Sequence, residues 1–138
     1  MQTIERMISS SPNKSPTDKK GLAECIDACF ACEQACVACA DACLGESQID
    51  MLKRCVRQNL DCADICGVTG RILSRQLESD AQVLRAQLEA CVRSVAACGA
   101  ECRHHASKHE HCKVCAEACQ RCEDTCRKML QNNGGARA

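Results

Sequence analysis

The segment Cys25–Cys43 reads CIDACFACEQACVACADAC and places six cysteines at successive spacings of 4, 3, 4, 3 and 4 residues. Residues three and four apart are neighbours on one face of an α-helix, so this spacing predicts a helix whose thiols share a face. The segment Cys112–Cys126, CKVCAEACQRCEDTC, repeats the pattern. Both segments therefore predict helices with a cysteine face, and the rest of the sequence decides what those faces pack against.

The composition excludes several classes of protein. The chain has 138 residues, which suits one domain, and contains 17 cysteines but one phenylalanine and no tryptophan or tyrosine. Its 18 basic and 18 acidic residues give a net charge of zero, which argues against a surface that binds nucleic acid. No apolar run reaches the roughly 18 residues of a membrane span. The N-terminus lacks the pattern of an export signal, so we expect a cytoplasmic protein with reduced thiols.

Turn and capping signals divide the chain into a flexible segment at 1–15 with at most a short turn of helix, a helical domain at 16–131, and a disordered tail at 132–138. The domain is predicted to hold four helices: Ser15-Pro16 to Leu44, near Ser47 to about Gln76, Ser79 or Asp80 to about Ala106, and after Lys108 to about Gln131. Short links favour antiparallel neighbours. We therefore predict an all-α fold, an antiparallel up-down-up-down four-helix bundle.

The cysteines fall on these four helices at spacings of 3, 4 or 7, which are the a and d positions that face the axis of a bundle. Asn59 and Val95 take the two places where this pattern skips a cysteine. The sequence therefore predicts a cysteine-lined core, here called the thiol column. Its members are Cys25, Cys29, Cys32, Cys36, Cys39, Cys43, Cys55, Cys62, Cys66, Cys91, Cys98, Cys102, Cys112, Cys115, Cys119, Cys122 and Cys126.

The two ends of the predicted bundle differ in chemistry. One end, at the link between the second and third helices, carries Ile72, Leu73, Leu77, Leu84 and Leu88 and is called the leucine end. The other carries His104, His105, His109 and His111 together with Met51, and is called the histidine end. A continuous apolar plug is therefore expected at one end of the thiol column, and potential metal ligands at the other.

The number and placement of the thiols favour metal binding over two simpler roles. Leucine or alanine would pack the axis as well without the risk of oxidation, and neighbouring helical positions are about 5–6 Å apart at Cβ, too far for the 3.5–4.5 Å of a disulfide. Four thiolates around each Zn²⁺ would leave a charge of −2 per site in a dry core. Cu(I) with about one thiolate per ion stays near neutral and prefers soft sulfur. An iron–sulfur or thiol electron carrier and a zinc buffer stay open as alternatives; nothing predicts an enzyme.

The histidine end supplies further candidate ligands. His105 and His109 continue the spacing of the thiol column, and His111 directly precedes Cys112, so these three are predicted metal ligands. His104 lies one step around the helix and is expected in solvent. Met51 and Asn59 are candidates for weaker metal contacts, each with the alternative of a plain core residue.

The cysteine-lined bundle and the segments CIDACFACEQACVACADACL and CKVCAEACQRCEDTC resemble the cytosolic copper storage proteins over roughly residues 20–130. This resemblance implies storage of many Cu(I) ions, a homotetramer, and histidines at the open end, with a copper donor or acceptor protein or a small thiol as exchange partner. Self-association is also predicted from an apolar stripe on the first helix, formed by Ile26, Phe30, Val37 and Leu44.

Overall fold

The structure, a computed structural model, describes residues 1–13 and 18–137, with 133–137 as backbone only. The described residues form helices α1 (Gln2–Ser10), α2 (Lys19–Leu44), α3 (Lys53–Ser74), α4 (Ala81–His105) and α5 (Glu110–Arg137), with a 3₁₀ turn at Ile49–Leu52. These parts of the chain contain no strand. The predicted all-α fold is therefore confirmed. None of the helices among the described residues is long and apolar enough to cross a membrane.

Side-chain caps fix the start of two of the long helices. The carboxylate of Asp18 accepts the backbone N–H of Gly21 at 2.9 Å, so α2 begins at Lys19. The helix start predicted at Ser15-Pro16 lies outside the described residues. Asp80, one of the two predicted caps, accepts the N–H groups of Gln82 and Val83 and begins α4.

The long helices enclose a single core in which α2 packs against α3 and α5, and α4 packs against the same two helices. All 17 cysteines are buried, and none is more than 1% exposed. Leucines close the core at the leucine end, where Leu73 and Leu88 are buried and Leu84 packs against the core cluster. Leu77 does not belong to this plug: it follows the end of α3 and is 72% exposed.

Two glycines of α3 allow α2 to approach closely. A Cβ at Gly70 would lie 2.8 Å from the ring of Phe30, and one at Gly67 would collide with the Glu33 carboxylate. The sequence indicated only that these glycines weaken the helix. The missing side chain of Gly70 also makes room for the ring of Phe30, the one phenylalanine of the chain.

The N-terminal segment contains more structure than the sequence predicted. Instead of a short turn, α1 is a nine-residue helix. Its Ile4 and Ile8 pack against the core cluster, and the N-terminal ammonium group lies 3.4 Å from Asp27 on α2. The two isoleucines lie on one helical face and pack on an apolar surface of the core. The sequence of residues 1–15 alone does not predict that contact. Flexibility of this segment stays a prediction.

The apolar stripe predicted on α2 is divided by α1. Ile26 is only 1% exposed and Phe30 is half-buried, and both line a shared apolar cavity with Ile4 and Ile8 of α1. The expectation of four exposed residues is therefore wrong for Ile26. Val37 and Leu44 lie further along α2 and remain exposed.

The last helix is longer than predicted. The sequence placed its end at about Gln131, whereas α5 continues to Arg137 through Gly134 and Gly135. Glycine lowers helix propensity by about 1 kcal/mol, but it keeps the backbone N–H that proline lacks and so does not interrupt the hydrogen bonds. Disorder of the tail in solution stays a prediction.

Candidate metal centre

The sulfur atoms form a continuous path through the core, and all 17 cysteines are free thiols. Cys25 Sγ lies 3.7 Å from Cys126 Sγ, Cys126 lies 3.8 Å from Cys91, and Cys91 lies 4.0 Å from Cys66. These contacts join four different helices. The same spacing continues toward the histidine end, where Cys39 Sγ lies 3.9 Å from Cys112 Sγ.

Groups of thiols along this path are close enough to share a metal ion. In each group, all candidate ligand atoms lie within 4.8 Å of one another. Successive groups have members in common, for example Cys32, Cys36, Cys119 and Cys122. These groups include Cys29/Cys91/Cys122/Cys126, Cys32/Cys36/Cys62/Cys119, Cys36/Cys98/Cys115/Cys119, Cys32/Cys66/Cys122 and Cys39/Cys43/His111/Cys112. Because the first four of these groups overlap, their thiols form one extended site and not a set of isolated four-ligand sites.

Charge selects the ion that such an extended site can hold. A divalent ion with four thiolates leaves two negative charges in each group, and these charges would accumulate along a core that excludes water. A monovalent ion that replaces one thiol proton leaves the core as neutral as before. Soft thiolate donors also select Cu(I) among the available monovalent ions.

Asn59 is the buried amide within the thiol column. Its Oδ1 faces three thiols that can donate to it: Cys98 at 3.1 Å, Cys115 at 3.3 Å and Cys102 at 3.5 Å. Its Nδ2 donates to Cys55 Sγ at 3.6 Å. All four contacts are with sulfur, so the amide is surrounded by the candidate ligands and is fully buried among them. A metal contact from Asn59 stays a prediction. Its position among the candidate sulfur ligands is compatible with such a contact.

Burial keeps Cys43 and Cys112, two thiols at the histidine end, protonated in the absence of metal. It raises the pKa of Cys43 to about 12 and that of Cys112 to about 11, because a thiolate loses its hydration in the core. Both thiols are therefore neutral at pH 7, and a metal ion must displace their protons in order to bind.

At the histidine end, His111 faces the thiol column directly. Its Nδ1 lies 3.3 Å from Cys39 Sγ and 3.6 Å from Cys112 Sγ. Its other nitrogen, Nε2, donates to the Glu46 carboxylate at 2.8 Å, and this bond lowers the pKa of Glu46 below its ordinary value. Of the three predicted histidine ligands, His111 is thus the one whose ring touches thiols.

The other histidines lie further out. His109 Nδ1 also reaches Glu46, at 3.1 Å, and the rings of His109 and His111 stack with their centroids 5.4 Å apart. His105 Nε2 lies 3.0 Å from Glu101, which also pairs with Arg54. A cavity of about 270 Å³ is lined at this end by His104, His105, His109 and Met51, among others. His104 and Met51 are exposed.

Two carboxylates of this site were not found from the sequence. Glu101 lies four residues before His105 on α4, a spacing that places both on one helical face and could have indicated the pair. Glu46 is 65 residues away from His111 in the chain, and only the folded structure brings the two together. No local spacing signals that contact.

An all-helical bundle with a buried, continuous column of free thiols and a histidine cluster at one end defines a protein that sequesters many soft metal ions. The comparisons with known proteins agree. Residues 18–131 match the family model of the copper storage protein, so the chain belongs to the copper storage protein family.

Solved structures and a curated relative extend this match. The copper storage protein Ccsp of Streptomyces lividans, loaded with 10 copper equivalents, is 46% identical with a TM-score of 0.90, covering 93% of this chain and 98% of that one. A cytosolic copper storage protein of S. lividans with five coppers is 52% identical over 83% of this chain and 95% of that one, with a TM-score of 0.81. The uncharacterised cysteine-rich protein YhjQ of Bacillus subtilis is 37% identical over 105 residues, 76% of this chain and 92% of YhjQ.

Proposed function

We propose that this protein stores many Cu(I) ions in the cytoplasm, bound by the 17 thiolates of the thiol column, with His105, His109 and His111 as ligands at the open end. The observation that carries the proposal is the overlap of the thiol groups, since Cys32, Cys36, Cys119 and Cys122 each belong to two neighbouring groups. Membership in the copper storage family and the copper-loaded relatives from Streptomyces lividans support the choice of metal.

Anaerobic titration of the reduced protein with Cu(I) tests the capacity. We expect binding far beyond four ions per chain, because the thiols form one extended site. Metal should be counted per chain after gel filtration, with a parallel titration with Zn²⁺ for comparison. Saturation at one or two Cu(I) ions would refute storage, and a comparable number of Zn²⁺ ions held in the core would favour a zinc buffer.

The proposed scaffold is the antiparallel up-down-up-down arrangement of α2, α3, α4 and α5. Thiol contacts support it. Near the beginning of α2, Cys25 meets Cys126 of the later part of α5, while Cys39 near the end of α2 meets Cys112 of the first turn of α5. Likewise, Cys55 at the start of α3 lies 3.8 Å from Cys102 near the end of α4.

Copper is proposed to enter and leave at the histidine end. His111 Nδ1 already lies within 3.3 Å of a thiol, whereas the buried leucines Leu73 and Leu88 offer no ligand to an ion that must lose its water. Replacing His105, His109 and His111 by alanine should change the rates of loading and of removal by a chelator, with little change in capacity. Wild-type rates in this variant, together with faster exchange in Leu88→Ala, would place the entrance at the leucine end.

A homotetramer is proposed on the resemblance to the family and on the exposed apolar residues Val37 and Leu44, which are 51% and 61% exposed. Replacing both by serine should weaken self-association without changing copper capacity, because neither side chain belongs to the thiol column. Light scattering at micromolar concentration measures the mass; a monomeric wild-type protein would contradict the proposal. Exchange with a copper donor or acceptor protein, or with a small thiol, is proposed at the histidine end.

A further inference from the structure

Glu46 occupies a fixed position immediately beyond the end of α2. Its backbone N–H donates to the carbonyl of Cys43 at 3.1 Å, so the residue continues the last turn of the helix whose cysteines line the core. From this position its carboxylate reaches the beginning of α5. One oxygen, Oε2, is the partner of both His111 Nε2 at 2.8 Å and His109 Nδ1 at 3.1 Å.

The hydrogen bond of His111 and the close charge contact of His109 with the same carboxylate oxygen bear on which nitrogen of each neutral ring carries the proton. A carboxylate only accepts hydrogen bonds, so each nitrogen that faces it must be an N–H. His111 therefore carries its proton on Nε2 and leaves the lone pair of Nδ1 free, 3.3 Å from Cys39 Sγ. At 3.1 Å from His109 Nδ1, the same carboxylate favours the proton on that nitrogen, which leaves the lone pair of Nε2 free. The same oxygen thus selects opposite tautomers in two adjacent rings.

The tautomer of His109 is the informative one. A neutral imidazole in water favours the proton on Nε2, so His111 has the ordinary tautomer, whereas His109 has the less favoured one. Metal ligands are commonly held in this way, by a carboxylate that accepts the N–H opposite the ligating nitrogen. His109 lines the cavity at the histidine end, and its ring stacks on that of His111 with the centroids 5.4 Å apart, while His111 Nδ1 lies 3.3 Å from Cys39 Sγ.

We infer that Glu46 is a positioning residue for copper transfer: it holds His109 and His111 in complementary tautomers, so that both rings offer a nitrogen lone pair to an ion moving toward Cys39 and Cys112. This inference rests on the proposed function for its consequence in copper loading. Its structural part, the tautomer of each ring, is independent of copper.

Glu101 provides a matched comparison at the same end of the bundle. It also binds a histidine, His105 Nε2 at 3.0 Å, and it pairs with Arg54 at 3.4 Å. Unlike His111, His105 makes no recorded contact with a thiol among the described residues, and Glu101 bonds one ring instead of two. Removing the charge of Glu101 therefore tests whether any carboxylate at this end has the effect ascribed to Glu46.

The first measurement is the tautomer of each histidine by ¹⁵N NMR of the metal-free protein at pH 8. In the wild type we expect His109 to be protonated on Nδ1 and His111 on Nε2. In Glu46→Ala, His109 should revert to protonation on Nε2. In Glu46→Gln the amide oxygen can still accept both N–H groups, so the wild-type tautomers should persist. An unchanged His109 in Glu46→Ala overturns the inference.

The second measurement is the rate of Cu(I) transfer from a coloured chelator complex under anaerobic conditions. Glu46→Ala should slow loading by about tenfold, the lower end of the effect of removing such a hydrogen-bond partner, at unchanged capacity. Glu46→Gln should load within about twofold of the wild type, since it keeps the acceptor and loses only the charge. Glu101→Gln should leave the tautomers of His109 and His111 unchanged and load faster than Glu46→Ala.

The outcomes separate this inference from the proposed function. A wild-type protein that binds only one or two Cu(I) ions refutes storage, whatever the tautomers are. Full capacity combined with a wild-type loading rate in Glu46→Ala refutes the role of Glu46 and leaves storage intact. If Glu46→Gln loads as slowly as Glu46→Ala while keeping the wild-type tautomers, negative charge and not ring positioning is responsible, and the inference fails.

Discussion

Raising the pH of the reduced, metal-free protein from 8 to 10 should destabilise it through its buried thiols. Burial raises the pKa of Cys43 to about 12 and that of Cys112 to about 11. In the unfolded chain the same thiols have an ordinary pKa of about 8.5–9. Above that value the unfolded state releases protons that the folded state retains. Stability is therefore fully present below pH 8.5 and is lost as the pH rises toward the folded pKa values.

The size of the effect follows from this difference. Once the pH exceeds the unfolded pKa, each thiol that stays protonated only in the folded state costs about 1.4 kcal/mol per pH unit. Between pH 8 and pH 10, Cys43 and Cys112 together should therefore lower the free energy of unfolding by about 3 kcal/mol. That is a large fraction of the 5–15 kcal/mol that is typical of a whole domain.

Anaerobic urea unfolding, followed by circular dichroism with a phosphine reductant, measures this free energy at pH 8, 9 and 10. The matched control is Cys43→Ala/Cys112→Ala, which retains every lysine, so that the difference between the two pH profiles isolates the two thiols. The chain has no tyrosine to add its own titration. Parallel profiles, or a wild type that is more stable at pH 10 than at pH 8, would refute the reasoning.

Three further outcomes are expected. Gly70→Ala should destabilise the bundle by about 1–3 kcal/mol in urea unfolding, despite the better helix propensity of alanine, because the added Cβ meets the ring of Phe30; equal or greater stability would contradict this. Cu(I) loading in weak buffer should release about one proton per thiolate formed, measured with an indicator dye; no release would show that the thiols were already ionised. Asn59→Cys should raise Cu(I) capacity by about one ion per chain, since it completes the thiol spacing of α3; an unchanged metal count would contradict this.

The thiol column could be predicted because it depends on the spacing of cysteines along each helix. Spacings of 3, 4 and 7 determine which side of each helix faces the axis, and 17 residues of one type make that periodicity unambiguous. The buried state of Asn59 followed from the same rule, since it lies four residues after Cys55 and three before Cys62. Helix ends were less well determined. The sequence placed the end of α5 at about Gln131, whereas the helix continues to Arg137.

Contacts between distant segments could not be predicted in this way. Helix α1 covers Ile26, so a residue that appeared to belong to an exposed stripe is buried. Leu77 has the hydrophobicity of a plug residue, but it lies beyond the end of α3 and projects from the bundle surface. Glu46 reaches His111 only because the end of α2 and the start of α5 meet at the histidine end. Each of these outcomes depends on tertiary packing, which the spacing of residues along one helix does not predict.

The thiol column can be both the packed core of the metal-free protein and the store for metal ions. Without metal, the neutral thiols pack as small apolar groups, since free cysteine behaves as a hydrophobic side chain. The raised pKa of Cys43 and Cys112 keeps that part of the empty core from accumulating charge. When Cu(I) binds, each Cu⁺ that displaces one thiol proton leaves the total charge unchanged. Because this exchange can be repeated along the column without adding net charge, the number of stored ions is limited by the sulfur positions and not by electrostatic repulsion within the core.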